Sequence, residues 1–277
     1  MTPADILARL RWSLVLAFEA IVKSFAPMLS FPPSRFVKLL SVMDCLIVLV
    51  HSPLVSPFTW SKVAEGLRQQ KVDVLVPNLT TDDDKGVPYW KQCASEVKQA
   101  LSQVSPEGRV VLVAHSGAGP LLPSIRDTIA QPVAACLFVD ASLPHPNQST
   151  LDELAINAPE LAKELYPHLL AGGSYPNWSA KDLSDTIPDP LVLKQLLAEL
   201  RPQRFRFFEE KMPQTVITPD TPCGYILLSD AYQTQLEQAQ KAGWPCRIFH
   251  DGHFHMLVDP PAMTSAIIDL LNEMGVK

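Results

Sequence analysis

Glycine, basic charge and long apolar runs are all scarce in this sequence. Only 11 of the 277 residues are glycine, whereas 26 are proline. The prolines are interleaved with leucine, valine and tryptophan, so they indicate stiffened loops and not a disordered chain. Hydrophobic residues make up 47% of the chain, which is enough to bury a core. We therefore predict a globular protein.

The charge balance is acidic. Lysine and arginine number 23, aspartate and glutamate number 29, and the formal net charge is -6. Such a chain lacks the positive surface with which proteins attract nucleic acids and anionic lipids. We expect a small molecule as its partner and no nucleic acid.

The five cysteines are odd in number and scattered, and most of them stand inside apolar runs. A thiol in such a run packs as a small hydrophobic group. We predict a cytoplasmic protein without disulfides, because a reducing compartment keeps thiols free.

Residues 1–43 are predicted to form a helical extension. Charged residues at Arg9, Arg11, Glu19 and Lys23 interrupt every apolar stretch that is long enough to cross a membrane, so no transmembrane span is expected. An amphipathic helix that packs on the domain, or on a second subunit in a homodimer, fits this pattern. Attachment to a membrane surface is the lesser alternative.

From residue 44 onward, short apolar runs alternate with stretches of helical periodicity. Apolar runs predict strands at 45–50, 72–79, 109–114, 132–141, 223–230 and 246–251, and the periodic stretches predict helices at 57–70, 89–104 and 261–274. Strands separated by helices indicate an α/β fold with a mostly parallel sheet that helices cover on both faces.

The alternation stops between residues 145 and 222, where helix-like stretches alternate with proline- and glycine-containing breaks. We predict a core domain made of residues 44–144 and 223–277, with residues 145–222 inserted as a helical lid or cap over one edge of the sheet. The aromatic side chains of this insertion either line an apolar pocket or pack between its helices: Tyr166, Tyr175, Trp178, Phe205, Phe207 and Phe208.

A serine, an aspartate and a histidine each follow a predicted strand, in the order Ser116, Asp230 and His253. Ligands of open parallel sheets bind at the carboxyl ends of the strands, so these positions converge on one edge. A serine hydroxyl is a weak nucleophile that needs an imidazole to take its proton and a carboxylate to orient that imidazole. The trio therefore predicts a catalytic triad.

The residues around Ser116 favour the same interpretation. In "VLVAHSGAG", small residues flank a serine at the end of a predicted strand, which suits a strained turn that exposes the hydroxyl. The N–H of Gly117 would then point to the start of the next helix, where a developing oxyanion can be held.

With these features the chain resembles the α/β-hydrolase superfamily, in its esterase, thioesterase and C–C lyase-like branch. "VLVAHSGAG" is similar to the nucleophile elbow, "LIVLVHSPLVSPFTW" to the first strand-turn-helix, and "DGHFHMLVDP" to the histidine loop. The resemblance covers roughly residues 44 to 277. It implies the α/β-hydrolase fold and a serine-dependent reaction without a cofactor or metal.

The sequence departs from the family in two places. The second oxyanion N–H would come from the position of Pro53, which has no N–H, so the Leu54 amide or the Ser52 hydroxyl must replace it. His51 is expected to shape this turn and not to titrate in catalysis. The family also expects two strands before residue 45, and only "RFVKLLSV" is available as one.

Several alternatives stay open for the site. Asp140 also ends a predicted strand and is the alternate to Asp230 as the triad acid, and His255 is the alternate to His253. The close spacing of His250, His253 and His255 is compatible with zinc, but neither a CxxC nor an HExxH pattern accompanies them, so no metal is expected.

The leading hypothesis is a cofactor-independent serine hydrolase, an esterase or thioesterase that cleaves an apolar small molecule. Two alternatives use the same residues differently. One is a lyase or another non-hydrolytic reaction, motivated by Pro53. The other is a ligand-binding protein with a vestigial triad, since a fold does not fix a function.

Overall fold

The computed structural model describes residues 44–276, and eight strands are found there. They are β1 (Cys45–Val50), β2 (Val74–Leu75), β3 (Arg109–His115), β4 (Val133–Val139), β5 (Ser174–Tyr175), β6 (Gln203–Arg204), β7 (Cys223–Leu227) and β8 (Cys246–Ile248). Six of them form one sheet in the order β2-β1-β3-β4-β7-β8, in which every neighbouring pair is parallel. The predicted parallel sheet is confirmed, and β5 and β6 form a separate antiparallel pair.

Helices follow the strands and cover both faces of the sheet. The α-helices are α1 (Phe58–Gln69), α2 (Tyr89–Ala100), α3 (Leu122–Thr128), α4 (Thr150–Asn157), α5 (Pro159–Leu170), α6 (Ala180–Leu183), α7 (Pro190–Ala198), α8 (Phe205–Glu209), α9 (Gln233–Lys241), α10 (His255–Val258) and α11 (Pro260–Glu273). Buried residues of α1 and α11 pack on one face, and those of α2, α3 and α9 pack on the other.

The alternation of side-chain direction along each strand explains why the sheet has one apolar core on each face. Ile47 and Leu49 of β1 belong to one apolar cluster, whereas Val48 and Val50 belong to the other. Successive side chains of a strand point to opposite faces, so a strand between two helical layers must be apolar at every position. This requirement produces the continuous apolar runs of the sequence.

One predicted strand is much shorter in the structure. The run 72–79 contributes only Val74 and Leu75 to the sheet, where they pair with Ile47 and Val48 of β1. Pro77 follows two residues later and has no N–H to donate, so the ladder cannot continue through it.

The insertion between β4 and β7 contains α4 to α8 and the β5–β6 pair, and we call residues 145–222 the cap segment. The helix-like stretch from 149 to 170 is two helices, because Pro159 disfavours the helical conformation at Ala158, whose φ is -143° and ψ is 61°. Leu165, Leu169 and Phe208 form a small apolar cluster of their own. That this segment serves as a lid or cap stays a prediction.

The predictions for residues 1–43 lie outside the described residues. These are the N-terminal helix, the strand "RFVKLLSV" and dimerisation through this segment. Within residues 44–276, no helix is long and apolar enough to cross a membrane.

A buried histidine joins the end of β1 to the segment after β2. The Nδ1–H of His51 donates to the carbonyl of Ser52 at 2.7 Å, and its Nε2 accepts the N–H of Leu79 at 3.0 Å. Both bonds need the neutral ring with the proton on Nδ1. Burial, the largest cause, lowers the pKa of His51 to about 4. The ring is therefore a neutral structural link, as its expected role in shaping the turn requires.

This link predicts a pH-dependent stability. The folded pKa of His51 is below its unfolded value, so only the unfolded chain gains a proton as the pH falls from about 6.5 toward 4, and the free energy of unfolding decreases over that interval. Between about pH 7 and pH 4.5, we expect the free energy of unfolding, measured by urea denaturation, to decrease by roughly 2 kcal/mol more for the wild type than for His51→Asn. Equal losses in the two proteins would contradict this role.

Candidate active site

Ser116 stands at the junction between β3 and a short 3₁₀ turn that runs over Ser116–Leu121. Its φ of 58° lies in the left-handed region, which strains a residue with a side chain. The neighbours leave no room for larger groups: Ala114 and Ala118 are fully buried, and a Cβ on Gly119 would lie 2.0 Å from the carbonyl oxygen of Ser142. The small residues are what allow this turn.

His253 is held by a buried carboxylate. Its Nδ1 lies 2.7 Å from Oδ2 of Asp140, whose side chain is wholly inaccessible to solvent. Asp140 also accepts the N–H groups of Leu228 and Ser229 at 2.8 and 2.9 Å and the Ser229 hydroxyl at 2.6 Å. A carboxylate with four donors has one fixed orientation, so it fixes the histidine ring as well.

The choice of Asp230 as the partner of His253 is wrong in this structure. Asp230 lies in the 3₁₀ turn after β7, its side chain is 87% exposed, and its Oδ1 contacts Nδ1 of His250 at 2.7 Å. The alternate, Asp140, occupies the predicted place. Both aspartates follow strands, but the turn at Asp140 (φ 43°) directs its carboxylate inward, whereas the turn at Asp230 directs it to solvent.

The three neighbouring histidines contact three different carboxylates. His253 contacts Asp140, His250 contacts Asp230, and Nε2 of His255 lies 3.8 Å from Asp251. His255 is buried against Phe249 and is not among the residues lining the cavity beside Ser116. The structure therefore does not bring the alternate His255 to the serine.

A tyrosine that the sequence analysis did not single out contacts the serine. The hydroxyl of Tyr232 lies 3.2 Å from Oγ of Ser116, and its ring stacks on His253 with centroids 5.4 Å apart and planes 8° from parallel. Burial raises the pKa of Tyr232 well above its usual value, so this hydroxyl keeps its proton. Its position two residues after a strand-end aspartate was the only signal in the sequence.

A second buried histidine supports the loop that carries His253. Nε2 of His115 lies 3.0 Å from the backbone carbonyl of His253, and the two ring centroids are 4.4 Å apart. Complete burial, helped by the nearby His253, lowers the pKa of His115 well below its usual value. A neutral His115 with its proton on Nε2 can donate to that carbonyl without placing a second charge under the site.

The turn after β1 faces Gly117 across the site. Oγ of Ser52 accepts the N–H of Leu54 at 3.3 Å, and a Cβ placed on Gly117 would lie 3.4 Å from the same oxygen. The Leu54 amide is therefore already engaged, while the Ser52 hydroxyl keeps its own proton for another acceptor.

Two cavities meet at this turn. The larger, of about 230 Å³, extends beside Ser116, Tyr232 and His253, and the smaller, of about 60 Å³, shares Ser52, Leu54 and Gly117 with it. Four of the six aromatic residues proposed as a lining are found there. Tyr175 and Trp178 line the larger cavity, Phe207 the smaller and Phe208 both, whereas neither cavity is lined by Tyr166 or Phe205.

The comparison with known families agrees with this arrangement. The profile of the Alpha/beta hydrolase family matches residues 47–266, which is most of the chain. The chain belongs to the alpha/beta hydrolase family. A resemblance that rested on three motifs thus extends over the sheet, the cap segment and the histidine loop.

Two plant esterases are distant relatives. The chain is 22% identical over 107 residues to polyneuridine aldehyde esterase of Rauvolfia serpentina, and the match covers 37% of this chain and 40% of the relative. It is 27% identical over 124 residues to methylesterase 1 of Arabidopsis thaliana, covering 42% and 47%. The chain thus spans less than half the length of each relative that it matches.

Solved structures extend the similarity in fold. An extracellular alpha/beta-hydrolase from a Paenibacillus species, described as homologous to tobacco salicylic acid binding protein 2, is 17% identical with a TM-score of 0.66 over 82% of this chain and 98% of the other. Tomato methylketone synthase I in complex with 2-tridecanone is 14% identical with a TM-score of 0.60, and the match covers 83% of this chain and 98% of the other. At these identities the similarity concerns the fold alone.

The carboxylate pairing predicts a spectroscopic difference between two matched variants. A histidine Nδ1–H that donates to a buried carboxylate gives a far-downfield proton resonance, which His253→Gln would identify by its loss. We expect Asp140→Asn to abolish this resonance and Asp230→Asn to leave it in place, because only Asp140 contacts His253. Proton NMR at low temperature measures both. A resonance that survives in Asp140→Asn, or disappears in Asp230→Asn, would refute the pairing.

Proposed function

We propose that this protein is a serine hydrolase that cleaves an ester or thioester of an apolar small molecule, without a cofactor. The observation that carries the proposal is the pairing of His253 with the buried Asp140 beside a serine held at positive φ on the end of β3. A buried carboxylate that orients an imidazole next to a half-buried serine hydroxyl serves acyl transfer. The names of the two plant relatives, both esterases, support the ester as the substrate bond.

The proposed reaction has two halves. Oγ of Ser116 attacks the substrate carbonyl and its proton passes to Nε2 of His253, while Asp140 keeps the other proton on Nδ1. Protonated His253 then gives its proton to the departing alcohol or thiol, leaving an acyl-serine. In the second half, water attacks this acyl group with His253 as the base, and the carboxylic acid leaves.

The negative oxygen of each tetrahedral intermediate needs two donors. We assign one to the N–H of Gly117 and the other to the Ser52 hydroxyl, because that hydroxyl lies against Gly117 and accepts the Leu54 amide. Pro53 therefore removes an amide donor from the turn without leaving the oxygen with a single partner.

The two cavities suit a substrate with unequal halves. The larger offers about 230 Å³ with a mainly apolar wall, and the smaller offers about 60 Å³ on the other side of Ser52 and Gly117. An ester bond held between Ser116 and Ser52 would place its larger group in the first cavity and a small group in the second.

A non-hydrolytic reaction is the second candidate, and one contact favours it. Oγ of Ser116 shares its hydrogen bond with the Tyr232 hydroxyl, and attack by the serine requires Oγ to turn from Tyr232 to His253. A phenol that stays protonated beside His253 can itself donate to a substrate oxygen. A lyase that uses His253 and Tyr232 would retain the contact between the Ser116 and Tyr232 hydroxyls. A binding protein whose serine does not react would retain it as well.

The hydrolase proposal predicts that Ser116 is reactive. We expect a fluorophosphonate probe to label the wild type and not Ser116→Ala, and release of p-nitrophenol from short-chain p-nitrophenyl esters to fall by at least about 10⁴-fold in that variant. Ser61→Ala is the matched control, because this exposed serine lies on α1 and donates to the carbonyl of Phe58. Turnover that persists without Ser116 would reject the hydrolase, and labelling without turnover would favour the second candidate.

The assignment of the second oxyanion donor has its own test. If the Ser52 hydroxyl binds the oxyanion, Ser52→Ala should lower kcat by about 10²- to 10³-fold, with a smaller effect on KM. If the Leu54 amide binds it instead, Ser52→Ala frees that N–H from its present acceptor and kcat should be preserved. Steady-state kinetics with the same p-nitrophenyl esters, beside Ser61→Ala, distinguishes the two.

A further inference from the structure

One end of the larger cavity is polar, although most of its wall is apolar. Glu153 and Asn157 of α4 and Gln235 of α9 lie together in this wall, and Ser116 and Tyr232 line the same cavity. Glu153 is 6% exposed and Gln235 is 4% exposed. We call Glu153, Asn157 and Gln235 the polar end of the cavity. The sequence analysis did not identify it, because Gln235 is 82 positions away from Glu153 and all three residues belong to ordinary helical stretches.

One carboxylate oxygen of the polar end has no hydrogen-bond donor. The side-chain amides of Asn157 and Gln235 both donate to Oε1 of Glu153, each at 3.0 Å. Neither reaches Oε2 of Glu153, and the carbonyl oxygen of Gln235 is buried without a hydrogen-bond partner. Reversing the Gln235 amide would set its carbonyl oxygen against the carboxylate, so the observed orientation is the favourable one.

Positive charge is missing beside this carboxylate. Among the described residues, no lysine or arginine lies within ion-pair distance of Glu153. The nearby His145 does not supply a charge, because burial lowers its pKa despite the opposing effect of Glu153. A buried carboxylate is unfavourable unless hydrogen bonds or a cation compensate it, and the two hydrogen bonds of Glu153 both reach Oε1.

Folding of α4 does not explain the carboxylate. The helix already begins with a capping box, in which Oγ of Ser149 accepts the N–H of Asp152, and the Asp152 carboxylate accepts the N–H of Ser149. The capping box thereby uses the Asp152 carboxylate and leaves Glu153 without a part in it. Its side chain turns away from the helix end and into the cavity wall.

We propose that the polar end binds a protonated amine carried by the substrate, which donates to Oε2 of Glu153. An ammonium group has three donors and no acceptor, which matches a vacant carboxylate oxygen and a missing cation. The apolar residues that line the same cavity would hold the hydrocarbon part of the molecule. This inference rests on the proposed ester hydrolysis and narrows its substrate to an amino ester.

The test compares esters that differ only at the distal group. Methyl 6-aminohexanoate and methyl heptanoate place an ammonium or a methyl group at the same position, and methyl 8-aminooctanoate with methyl nonanoate covers a longer reach. Hydrolysis is followed by proton release near neutral pH for the wild type, Glu153→Gln and Glu164→Gln. The last is the matched control, because Glu164 is an exposed residue of α5 and carries the same change of charge.

For at least one chain length, the wild type should favour the amino ester in kcat/KM by about 10- to 100-fold, the range of a hydrogen-bonded charge. Glu153→Gln should remove this preference, measured as the ratio of kcat/KM for the amino ester to kcat/KM for its methyl-terminated partner, whereas Glu164→Gln should keep it. A preference for methyl-terminated esters in the wild type, or one that Glu153→Gln does not change, would overturn the proposal.

Direct binding separates this proposal from the proposed hydrolysis. Hexylammonium and 1-hexanol are titrated calorimetrically into the wild type, a measurement that needs neither turnover nor a folded Glu153→Gln variant. Tighter binding of hexylammonium supports the polar end even if no ester is cleaved, in which case only the hydrolase proposal fails. Equal or weaker binding of hexylammonium, with methyl heptanoate cleaved, overturns the polar end and leaves the hydrolase proposal standing.

Discussion

The buried carboxylate of Asp140 is the interaction on which the site depends. It ties the end of β4 to the backbone after β7 through Leu228 and Ser229, and it holds His253 of the histidine loop. Three segments that are distant in sequence thereby meet at one charged group. A charge removed from water is tolerated only with full hydrogen bonding, so each donor around Asp140 is as necessary to the fold as to the candidate site.

Burial around this carboxylate also constrains the other histidines. His51 and His115 are both fully buried, and burial lowers the pKa of each. Neutral rings can carry fixed hydrogen bonds between the ends of β1 and β3 and their neighbouring loops without adding charge near Asp140. His253 differs from them because a carboxylate faces its Nδ1 and the cavity lies beside it.

The cap segment completes a cavity that the sheet could not form alone. Tyr175, Trp178 and Phe208 supply apolar surface, and Glu153 supplies a polar end, over a floor made by Ser116 and its neighbours. An apolar wall with a few fixed polar groups is the usual composition of a small-molecule site. The side chains of the cap segment therefore influence which small molecule the cavity accepts. The residues at the edge of the sheet influence the chemistry at that molecule.

The sequence by itself determined the core strands and helices, apart from the length of β2 and the break at Ala158, and the position of the serine. Continuous apolar runs and helical periodicity follow from burial on two faces, and small residues around Ser116 follow from its strained turn, so local patterns are sufficient to predict both. Only the tertiary structure decided that Asp140 and not Asp230 faces His253, that Tyr232 contacts Ser116, and that Glu153 meets Gln235. These depend on the direction in which each turn aims a side chain and on packing between distant segments, which no local pattern encodes.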